Sequence, residues 1–357
     1  MSALFEALRL REIALANRIV VSPMCQYSSH DGNATDWHTV NLGHFALCGP
    51  GLVFFEATHV SAQGRITDAD LGLYSDENET AMESVVRFLR RWTPVKVGVQ
   101  LAHAGRKGST LPPWEGGGSA HGERAYPIVA PSALAYREGW HVPQALDDAG
   151  LQRVRDEFAA AATRVRRLKL DVLELHFAHG YLAHQFLSPL SNRRTDRYGG
   201  SLENRMRFPL ELFDAVRTVW PQALPLGVRI SATDWVGGGW DPESSVEFAR
   251  ALKARGCDFI DVSSGGLSPL QRIDATPGYQ VPFSRRIKRE AGIATIAVGM
   301  IVDPDLAERI VASGDADLVS LARGFLRRPR WVWDAADALG ATSFVPNQYV
   351  RGRSKKS

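Results

Sequence analysis

Two histidines and a tyrosine lie within six residues of one another, directly after an apolar segment with the pattern of a β-strand: His176, His179 and Tyr181. If that strand belongs to a β/α barrel, its C-terminal end is where such barrels hold their chemistry, and the three side chains would converge on one pocket. Two imidazole donors beside a phenol suit a substrate that carries a carbonyl group. For either histidine alone, capping of backbone groups at a strand end is an equally good explanation, so the rest of the chain has to decide.

Composition and charge narrow the class of protein. The 357 residues are 45% hydrophobic and 23% charged, which is typical of a globular enzyme. The net charge is only +3 and the basic residues are spread along the chain, which argues against a nucleic-acid partner. No apolar run has the length of a membrane span and no leader peptide precedes the first strand, so we expect a cytoplasmic protein with no membrane partner.

The three cysteines are widely spaced and fit neither a disulfide framework nor a metal motif. We expect reduced thiols, with Cys48 and Cys257 as buried small apolar residues. Cys25 lies in a segment just past a strand and is a candidate for a functional role.

Eight strand-like segments alternate with eight helix-like segments, which predicts a parallel sheet with crossover helices. The fold class is therefore predicted as α/β, a single (β/α)8 TIM barrel over residues 1–345, with a doubly wound sheet as the alternative. Residues 346–357 are predicted to form a C-terminal tail. The predicted strands are 18–22, 51–57, 95–102, 172–176, 226–231, 258–263, 295–298 and 317–321, and the predicted helices lie near 36–49, 76–92, 148–169, 202–218, 242–255, 280–291, 303–313 and 329–340.

Residues 108–145 separate the third strand from its helix and are rich in glycine, proline and aromatic residues. A long segment at that end of a barrel is typical of an active-site loop or lid that caps the barrel. A short hairpin within it and disorder in its glycine-rich part are both compatible with this composition.

Alternation along the strands points three polar side chains into the barrel: Gln100, Glu174 and Arg229. Burying a polar group without a partner costs roughly 2–7 kcal/mol, and a charge costs more, so these groups must face one another or a polar ligand. A structural ion pair is the alternative explanation for Glu174 and Arg229. The polar residues that follow Gln100 favour a ligand there.

Glycine-containing segments follow the last three predicted strands, at residues 263–266, 298–300 and 322–325. Barrels often bind a phosphate with the loops after strands seven and eight, where backbone N–H groups and an arginine donate hydrogen bonds to the phosphate oxygens. Gly299 and Arg323 suit that role. Each segment alone is explained by turn chemistry, but together they favour a phosphate.

At this point the motifs match a known family over nearly the whole chain, from Asn17 to Tyr349. The chain resembles the Old Yellow Enzyme family of FMN-dependent ene-reductases, most closely its bacterial branch of xenobiotic reductase-like and thermophilic-like proteins. The motifs that carry the resemblance are Ser22–Tyr27, Gln100–Lys107, His176–Tyr181, Leu187–Arg205 and Pro277–Gln280.

The resemblance implies an FMN site at the C-terminal mouth of the barrel and a substrate site above it. The implied flavin contacts are Pro23, Met24, Cys25, Ala57, Gln100 and Arg229, and the implied phosphate contacts are Ser264, Gly299, Arg323 and Gly324. The implied substrate-binding residues are Cys25, Tyr27, Met300 and Arg351. No metal is implied.

The resemblance also gives the opening residues separate roles. His176 and His179 would bind the carbonyl oxygen of an α,β-unsaturated ketone, aldehyde or similar activated alkene. Reduced FMN would deliver a hydride from N5 to the β-carbon, and Tyr181 would protonate the α-carbon. NADPH or NADH would reduce the flavin first and leave, which gives ping-pong kinetics. We further infer that Glu174 pairs with Arg229 and orients it.

Two departures from the family pattern bear on specificity and assembly. Met300 stands where a number of xenobiotic reductases have a tryptophan, which would open that wall of the substrate pocket. Arg351 resembles an arginine that reaches into a neighbouring subunit, so a homodimer or homotetramer is expected, although Arg353 and a basic tail replace the usual terminal aromatic residue.

Two other classes of function stay open from the sequence. His-x-x-His at a strand end could bind zinc in a metal-dependent barrel enzyme, although no third ligand stands out. A flavin-binding scaffold without catalysis would require the histidines and Tyr181 to be incidental.

Overall fold

Eight parallel strands form a closed barrel in the computed structural model, which describes residues 2–352. Each strand pairs with its sequence neighbour, and the last strand pairs with the first. Closure leaves no free strand edge, and it confirms the predicted (β/α)8 barrel over the doubly wound alternative. The strands are β1 (Ile19–Val21), β2 (Leu52–His59), β3 (Lys96–Ala102), β4 (Val172–Phe177), β5 (Leu226–Ser231), β6 (Phe259–Ser263), β7 (Ala294–Ala297) and β8 (Leu318–Leu321).

A helix follows each strand, and every predicted helix is present. Side-chain caps start several of them: Ser75 accepts a hydrogen bond from the Asn78 amide at α2, and Asp241 accepts one from the Ser244 amide at α5. The helices are α1 (Asp36–Ala46), α2 (Asp76–Trp92), α3 (Asp148–Arg167), α4 (Leu202–Val219), α5 (Pro242–Ala254), α6 (Val281–Ala291), α7 (Pro304–Ala312) and α8 (Trp331–Ala338).

The outward faces of the strands meet these helices in one apolar layer. Cys48 and Cys257 are buried in it, as expected. None of the helices formed by residues 2–352 is both long enough and apolar enough to cross a lipid bilayer.

Four local elements are additions to the predicted set. Short helices Leu182–Leu187 and Arg323–Arg327 follow β4 and β8, and an antiparallel pair, Leu8–Leu10 with Ile13–Leu15, precedes β1. Within residues 108–145 a two-residue ladder joins Val129–Ala130 to Gln144–Ala145 in parallel orientation, and a separate antiparallel bridge joins Thr110 to Ser119, as in a short hairpin. The segment does lie between β3 and α3, as predicted.

The barrel interior has an apolar lower layer and a polar upper layer. The lower layer is sealed by the N-terminal strand pair, and two aromatic rings fill its centre because glycines face them. A Cβ atom at Gly98 would overlap the ring of Phe54, and one at Gly227 would overlap the ring of Phe259. The buried residues of this layer are Leu10, Ile13, Leu15, Val20, Leu52, Phe54, Val172, Phe259, Ile296 and Leu318.

Replacing Gly227 with alanine is expected to destabilise the fold by about 1–3 kcal/mol, the usual effect of overpacking a core. Phe259 has no space to move because it lies inside the closed barrel at 0% exposure. Urea denaturation measures the loss. Gly237→Ala is the matched control, because a Cβ atom there meets nothing within 4 Å; equal stability of the two variants would contradict the packing argument.

Candidate active site

His176, His179 and Tyr181 lie together at the C-terminal end of β4. The ring centroids of His176 and His179 are 5.1 Å apart, and those of His176 and Tyr181 are 5.0 Å apart. Both contacts are edge-to-face, with interplanar angles of 87° and 78°. The structure therefore brings the three side chains into one cluster at the mouth of the barrel.

The loop between β4 and the helix Leu182–Leu187 holds this cluster through backbone bonds. The His179 amide donates to Ser231 Oγ (2.9 Å), and the Gly180 amide donates to His184 Nδ1 (2.9 Å). Gly180 has φ +75°, and a Cβ atom there would overlap the backbone of Gly266. Only glycine allows the loop to pack this closely, which explains the residue between His179 and Tyr181.

Both imidazoles of the cluster are neutral at neutral pH. Burial lowers the pKa of His176 well below its usual value, and the neighbouring His179 ring adds to this. Burial lowers the pKa of His179 in the same way, with Arg229 as the next cause. His176 Nδ1 accepts a hydrogen bond from the Ala178 amide (3.3 Å), so the proton of this ring is on Nε2.

The phenol of Tyr181 stays protonated because burial raises its pKa well above the usual value. Lys107 lies beside it, with Nζ 5.2 Å from the centroid of the phenol ring. Lys107 also donates hydrogen bonds to the carbonyl oxygens of His179 (2.9 Å) and Gly266 (3.0 Å), and burial lowers its pKa to about 8. The ammonium thus ties the β4 loop to the β6 loop.

Beneath the cluster, Gln100, Glu174, Arg229 and Asp261 form a polar floor. The pairing of its side chains differs from the predicted pairing. Gln100 Nε2 donates to Glu174 Oε1 (2.7 Å), whereas Arg229 Nε lies 3.4 Å from Asp261 Oδ2. The inferred Glu174–Arg229 pair is therefore wrong. Strand register decides this, because Gln100 is opposite Glu174 while Arg229 is opposite both His176 and Asp261.

Two buried carboxyl groups share this floor with one guanidinium. Burial and then the nearby Asp261 raise the pKa of Glu174, against the opposing effects of Arg229 and Gln100, to about 8. Burial likewise raises the pKa of Asp261, against the effect of Arg229. Glu174 Oε2 and Asp261 Oδ1 have no hydrogen-bond partner among residues 2–352.

Glu174→Gln is expected to remove a pH dependence of stability. Because the pKa of Glu174 is higher in the folded than in the unfolded chain, its contribution to stability is full below the unfolded value and is lost as pH rises through about 8. The native protein and the variant should therefore diverge between pH 5 and 9, with the native protein losing stability relative to the variant. Urea denaturation at each pH, in excess FMN, measures this; parallel curves would show that Glu174 does not titrate there.

The segment Pro23–Tyr27 follows β1 and lies against the end of β2. The Gln26 amide donates to Glu56 Oε2 (2.8 Å), and Glu56 occupies a β-bulge directly before Ala57. Burial raises the pKa of both the Cys25 thiol and the Tyr27 phenol, so both stay protonated at neutral pH. Pro23, Met24, Cys25 and Ala57 thus lie on the side of the mouth next to Gln100.

A cavity of about 510 Å³ opens at the ends of β7 and β8 and reaches inward to Arg229 and Ser263. Gly299, Arg323 and Gly324 line it, and Arg327 and Arg328 add positive charge. Gly299 has φ +131°, a conformation that side chains rarely adopt. Ser264 lies beside the cavity and donates from Oγ to Gln280 Oε1 (2.6 Å). The cavity therefore has a cationic outer end and a polar inner end.

The two predicted specificity residues lie in different places. Met300 lines the cavity and is 36% exposed, with φ +53°. Arg351 lies exposed in the turn Asn347–Gly352, and within residues 2–352 it makes no hydrogen bond or ion pair to the other predicted site residues. Arg353 and the rest of the basic tail lie outside the described residues.

The segment 108–145 contacts two residues that flank the cluster, Tyr27 and Lys107. Trp114 packs edge-to-face on Tyr27, with ring centroids 5.6 Å apart. On the other side Lys107 Nζ lies 4.9 Å from the ring of Tyr136, and Trp140 packs against that ring at 5.0 Å. One segment therefore supplies two aromatic walls around the mouth.

Asp261 and Lys107 are part of the site and were not among the predicted site residues, whereas Ser263 belongs to the segment 263–266 that was predicted to bind a polar ligand. The alternation on β6 that buries Phe259 inward also points Asp261 and Ser263 inward, so the signal was present. Lys107 belongs to the quoted Gln100–Lys107 motif, but its contacts cross to β4 and β6, which spacing alone does not show.

The structure offers no cluster of three or more potential metal-binding side chains in the part of the chain that it describes, residues 2–352. His179 Nε2 is hydrogen-bonded to Ser263 Oγ at 2.7 Å.

Comparison with known proteins decides the family. The sequence profile of the NADH:flavin oxidoreductase / NADH oxidase family matches residues 3–341. The chain belongs to this family. It is 44% identical over 351 residues to the NADPH dehydrogenase of Geobacillus sp. (strain WCH70), covering 98% of each chain. It is 45% identical over 353 residues to the NADPH dehydrogenase of Listeria monocytogenes serovar 1/2a (strain ATCC BAA-679 / EGD-e), covering 98% of this chain and 99% of the relative.

Solved structures agree with the family assignment. Morphinone reductase superposes with a TM-score of 0.78 at 27% identity, over 97% of this chain and 92% of that chain. The 2-naphthoyl-CoA reductase complex superposes with a TM-score of 0.85 at 22% identity, which shows the shared fold alone. The resemblance to the Old Yellow Enzyme family is confirmed.

As a member of this flavin oxidoreductase family, the protein is an FMN-dependent oxidoreductase that uses NAD(P)H as reductant. The cavity fits such a cofactor, because its cationic end at β7 and β8 suits a phosphate and its inner end reaches Arg229 at the polar floor. Arg229 can hold the edge of a flavin that becomes negative on reduction.

Proposed function

We propose that this flavin oxidoreductase is an ene-reductase that reduces the carbon–carbon double bond of an α,β-unsaturated carbonyl compound or a similar activated alkene. The observation that carries the proposal is the cluster of two neutral imidazoles and a protonated phenol at the mouth of the barrel. When bound, FMN supplies the hydride, from N5 of the reduced flavin to the β-carbon of the alkene.

The two histidines bind and polarise the carbonyl oxygen in this proposal. His176 donates from Nε2, because its Nδ1 already accepts the Ala178 amide. His179 lies beside it at a ring separation of 5.1 Å, so both rings can reach one oxygen. Donors placed where negative charge develops contribute about 3 kcal/mol each to transition-state stabilisation.

Tyr181 supplies the proton to the α-carbon. Its burial keeps the phenol protonated, and its contact with His176, the proposed carbonyl-binding residue, supports this role. A phenol with a high pKa still serves, because the developing carbanion is a much stronger base.

The remaining predicted residues divide between the cofactor and the substrate. We assign Pro23, Met24, Ala57, Gln100 and Arg229 to the flavin ring, with Cys25 between flavin and substrate. We assign Ser264, Gly299, Arg323 and Gly324 to the ribityl phosphate end, which their place along the cavity and the β7 and β8 ends supports. Tyr27 and Met300 are the proposed substrate walls.

Assembly and location stay predictions. We propose a homodimer or homotetramer in the cytoplasm, in which Arg351 reaches the site of a neighbouring subunit and residues 346–357 act as the tail that carries it. Its exposure in the turn Asn347–Gly352 supports this.

The test separates the two half-reactions under anaerobic conditions. NADPH should bleach the yellow flavin, and 2-cyclohexenone added after removal of NADP⁺ should restore the colour in a second, independent step. Bleaching without reoxidation by any enone, nitroalkene or maleimide would refute the ene-reductase proposal. A dependence of flavin reduction on the alkene would refute ping-pong kinetics.

A further inference from the structure

The hydroxyl group of Ser263 contacts a proposed substrate-binding ring from beneath. Ser263 ends β6 and is 5% exposed, and its Oγ lies 2.7 Å from His179 Nε2. Either atom of this pair can be the donor, and the choice decides where the proton of the neutral imidazole lies.

The only other acceptor near the Ser263 hydroxyl within residues 2–352 is a distant one. Gln280 Oε1 lies 3.5 Å from Ser263 Oγ, at the limit of a hydrogen bond, and it already accepts the Ser264 hydroxyl at 2.6 Å. The orientation of the Gln280 amide is fixed from its other end, because Nε2 donates to the Val298 carbonyl oxygen (3.0 Å). Gln280 therefore competes weakly for the Ser263 hydrogen.

The bond to His179 is also the shorter of the two contacts of the Ser263 hydroxyl group, at 2.7 Å against 3.5 Å to Gln280 Oε1. The single hydroxyl hydrogen is therefore directed to the imidazole nitrogen. Ser263 then donates to Nε2 of His179, and the imidazole proton must be on Nδ1.

We propose that Ser263 is a positioning residue that holds His179 in the Nδ1–H tautomer, so that the ring presents a donor to the substrate oxygen. Within residues 2–352 no protein group is hydrogen-bonded to His179 Nδ1, which leaves that N–H free for a ligand. His176 has its free N–H on Nε2, because Nδ1 accepts the Ala178 amide. The two rings use opposite tautomers, each fixed by one bond from the protein.

The tautomer matters because the alternative one would oppose binding. With the proton on Nε2, Nδ1 of His179 would turn a lone pair toward the lone pairs of a carbonyl oxygen. The second donor would be lost, and a repulsion would replace it. This inference rests on the proposed function for its catalytic consequence, but the tautomer itself does not depend on any substrate.

Nitrogen-15 NMR of the FMN-loaded enzyme, with labelled histidine, measures the tautomer directly. The signals of His179 are assigned by their absence from His179→Gln, since the chain has ten histidines. We expect a protonated Nδ1 and an unprotonated Nε2 in the native protein. A protonated Nε2 there overturns the proposal, and this result is read from the native protein, with His179→Gln needed only for the assignment.

Three variants extend the measurement. Ser263→Ala should lose the pure Nδ1–H tautomer, and Ser263→Thr, which keeps a hydroxyl group at the strand end, should retain it. Ser284→Ala is the matched control, because it removes a buried hydroxyl bonded to Thr295 Oγ1 (2.9 Å) on the helix side of β7. Retention of the native tautomer in Ser263→Ala would also overturn the proposal.

The half-reactions then test the consequence. Ser263→Ala should slow flavin reoxidation by 2-cyclohexenone by about tenfold. This is less than the effect of removing an oxyanion donor, because a fraction of the His179 rings still has the Nδ1–H tautomer. Flavin reduction by NADPH should not change, and Ser263→Thr should restore reoxidation. Equal slowing of both half-reactions would indicate a structural role only and overturn the proposal. If the native enzyme reduces no enone, the proposed function fails while the NMR result still decides the tautomer.

Discussion

Reduction of 2-cyclohexenone by Tyr181→Phe is expected to be about 10²–10⁴-fold slower than by the native enzyme, the usual contribution of a positioned general acid. The substitution removes the only hydroxyl hydrogen of the phenol and keeps the ring that packs on His176 at 5.0 Å. Flavin reduction by NADPH needs no proton from this residue and should keep its native rate. Stopped-flow spectroscopy of each half-reaction measures the two effects separately.

Tyr126→Phe is the control for the loss of a buried phenol hydroxyl. Tyr126 lies in the segment 108–145 and donates from its hydroxyl to the Arg65 carbonyl oxygen (2.7 Å), away from the histidines. The Tyr126→Phe variant should therefore carry out both half-reactions at near-native rates. If Tyr181→Phe slowed the two half-reactions equally, Tyr181 would be a structural residue and the proton would have another source.

Arg229→Met is expected to destabilise the protein by about 3–5 kcal/mol, because it leaves a buried carboxylate without its cation. Asp261 is 1% exposed and Arg229 is 6% exposed, so the carboxylate stays largely dehydrated when its partner is lost. The loss should depend on pH. Without Arg229 the pKa of Asp261 rises further in the folded state, so the variant is penalised most at neutral pH and least near pH 4, where the carboxyl group is protonated.

Urea denaturation from pH 4 to pH 8 measures both the loss of stability and its pH dependence. It is done in excess FMN and again after FMN is removed, so that the effect on cofactor binding is separated from the effect on the fold. Arg255→Met is the matched control, because both side chains of the Arg255–Asp214 pair (3.3 Å) are exposed and the pair should contribute far less. The double variant Arg229→Met/Asp261→Asn should recover part of the stability. A loss that is equal at all pH values would mean that the ion pair is not its cause.

The barrel was predictable because strand and helix periodicity are local properties. Every predicted strand and helix is present within a few residues, and the helix caps Ser75 and Asp241 have the roles that their sequence context indicates. The placement of Gln100, Glu174 and Arg229 inside the barrel follows from alternation alone. Elements of a single turn, such as Leu182–Leu187, were missed because they have too few residues to show a period.

Pairing inside the barrel was not predictable from alternation. Alternation tells which face a side chain occupies, but register tells which residue on the next strand lies opposite, and register depends on the closed sheet as a whole. This is why Glu174 was paired with Arg229 in place of Gln100. The parallel ladder in 108–145 was missed for the same reason, since the turn composition gave no register.

The segment 108–145 leaves and re-enters the barrel between β3 and α3, and it contributes aromatic walls on both sides of the mouth through Trp114 and Tyr136. Much of the entrance is therefore shaped by one stretch of chain that contains none of the eight barrel strands. Such a division allows the choice of substrate to evolve by changes in one contiguous insertion, while the chemistry at β4 and the stability of the barrel are inherited unchanged. A chimera that exchanges only this insertion would transfer a preference for substrates without transferring an active site.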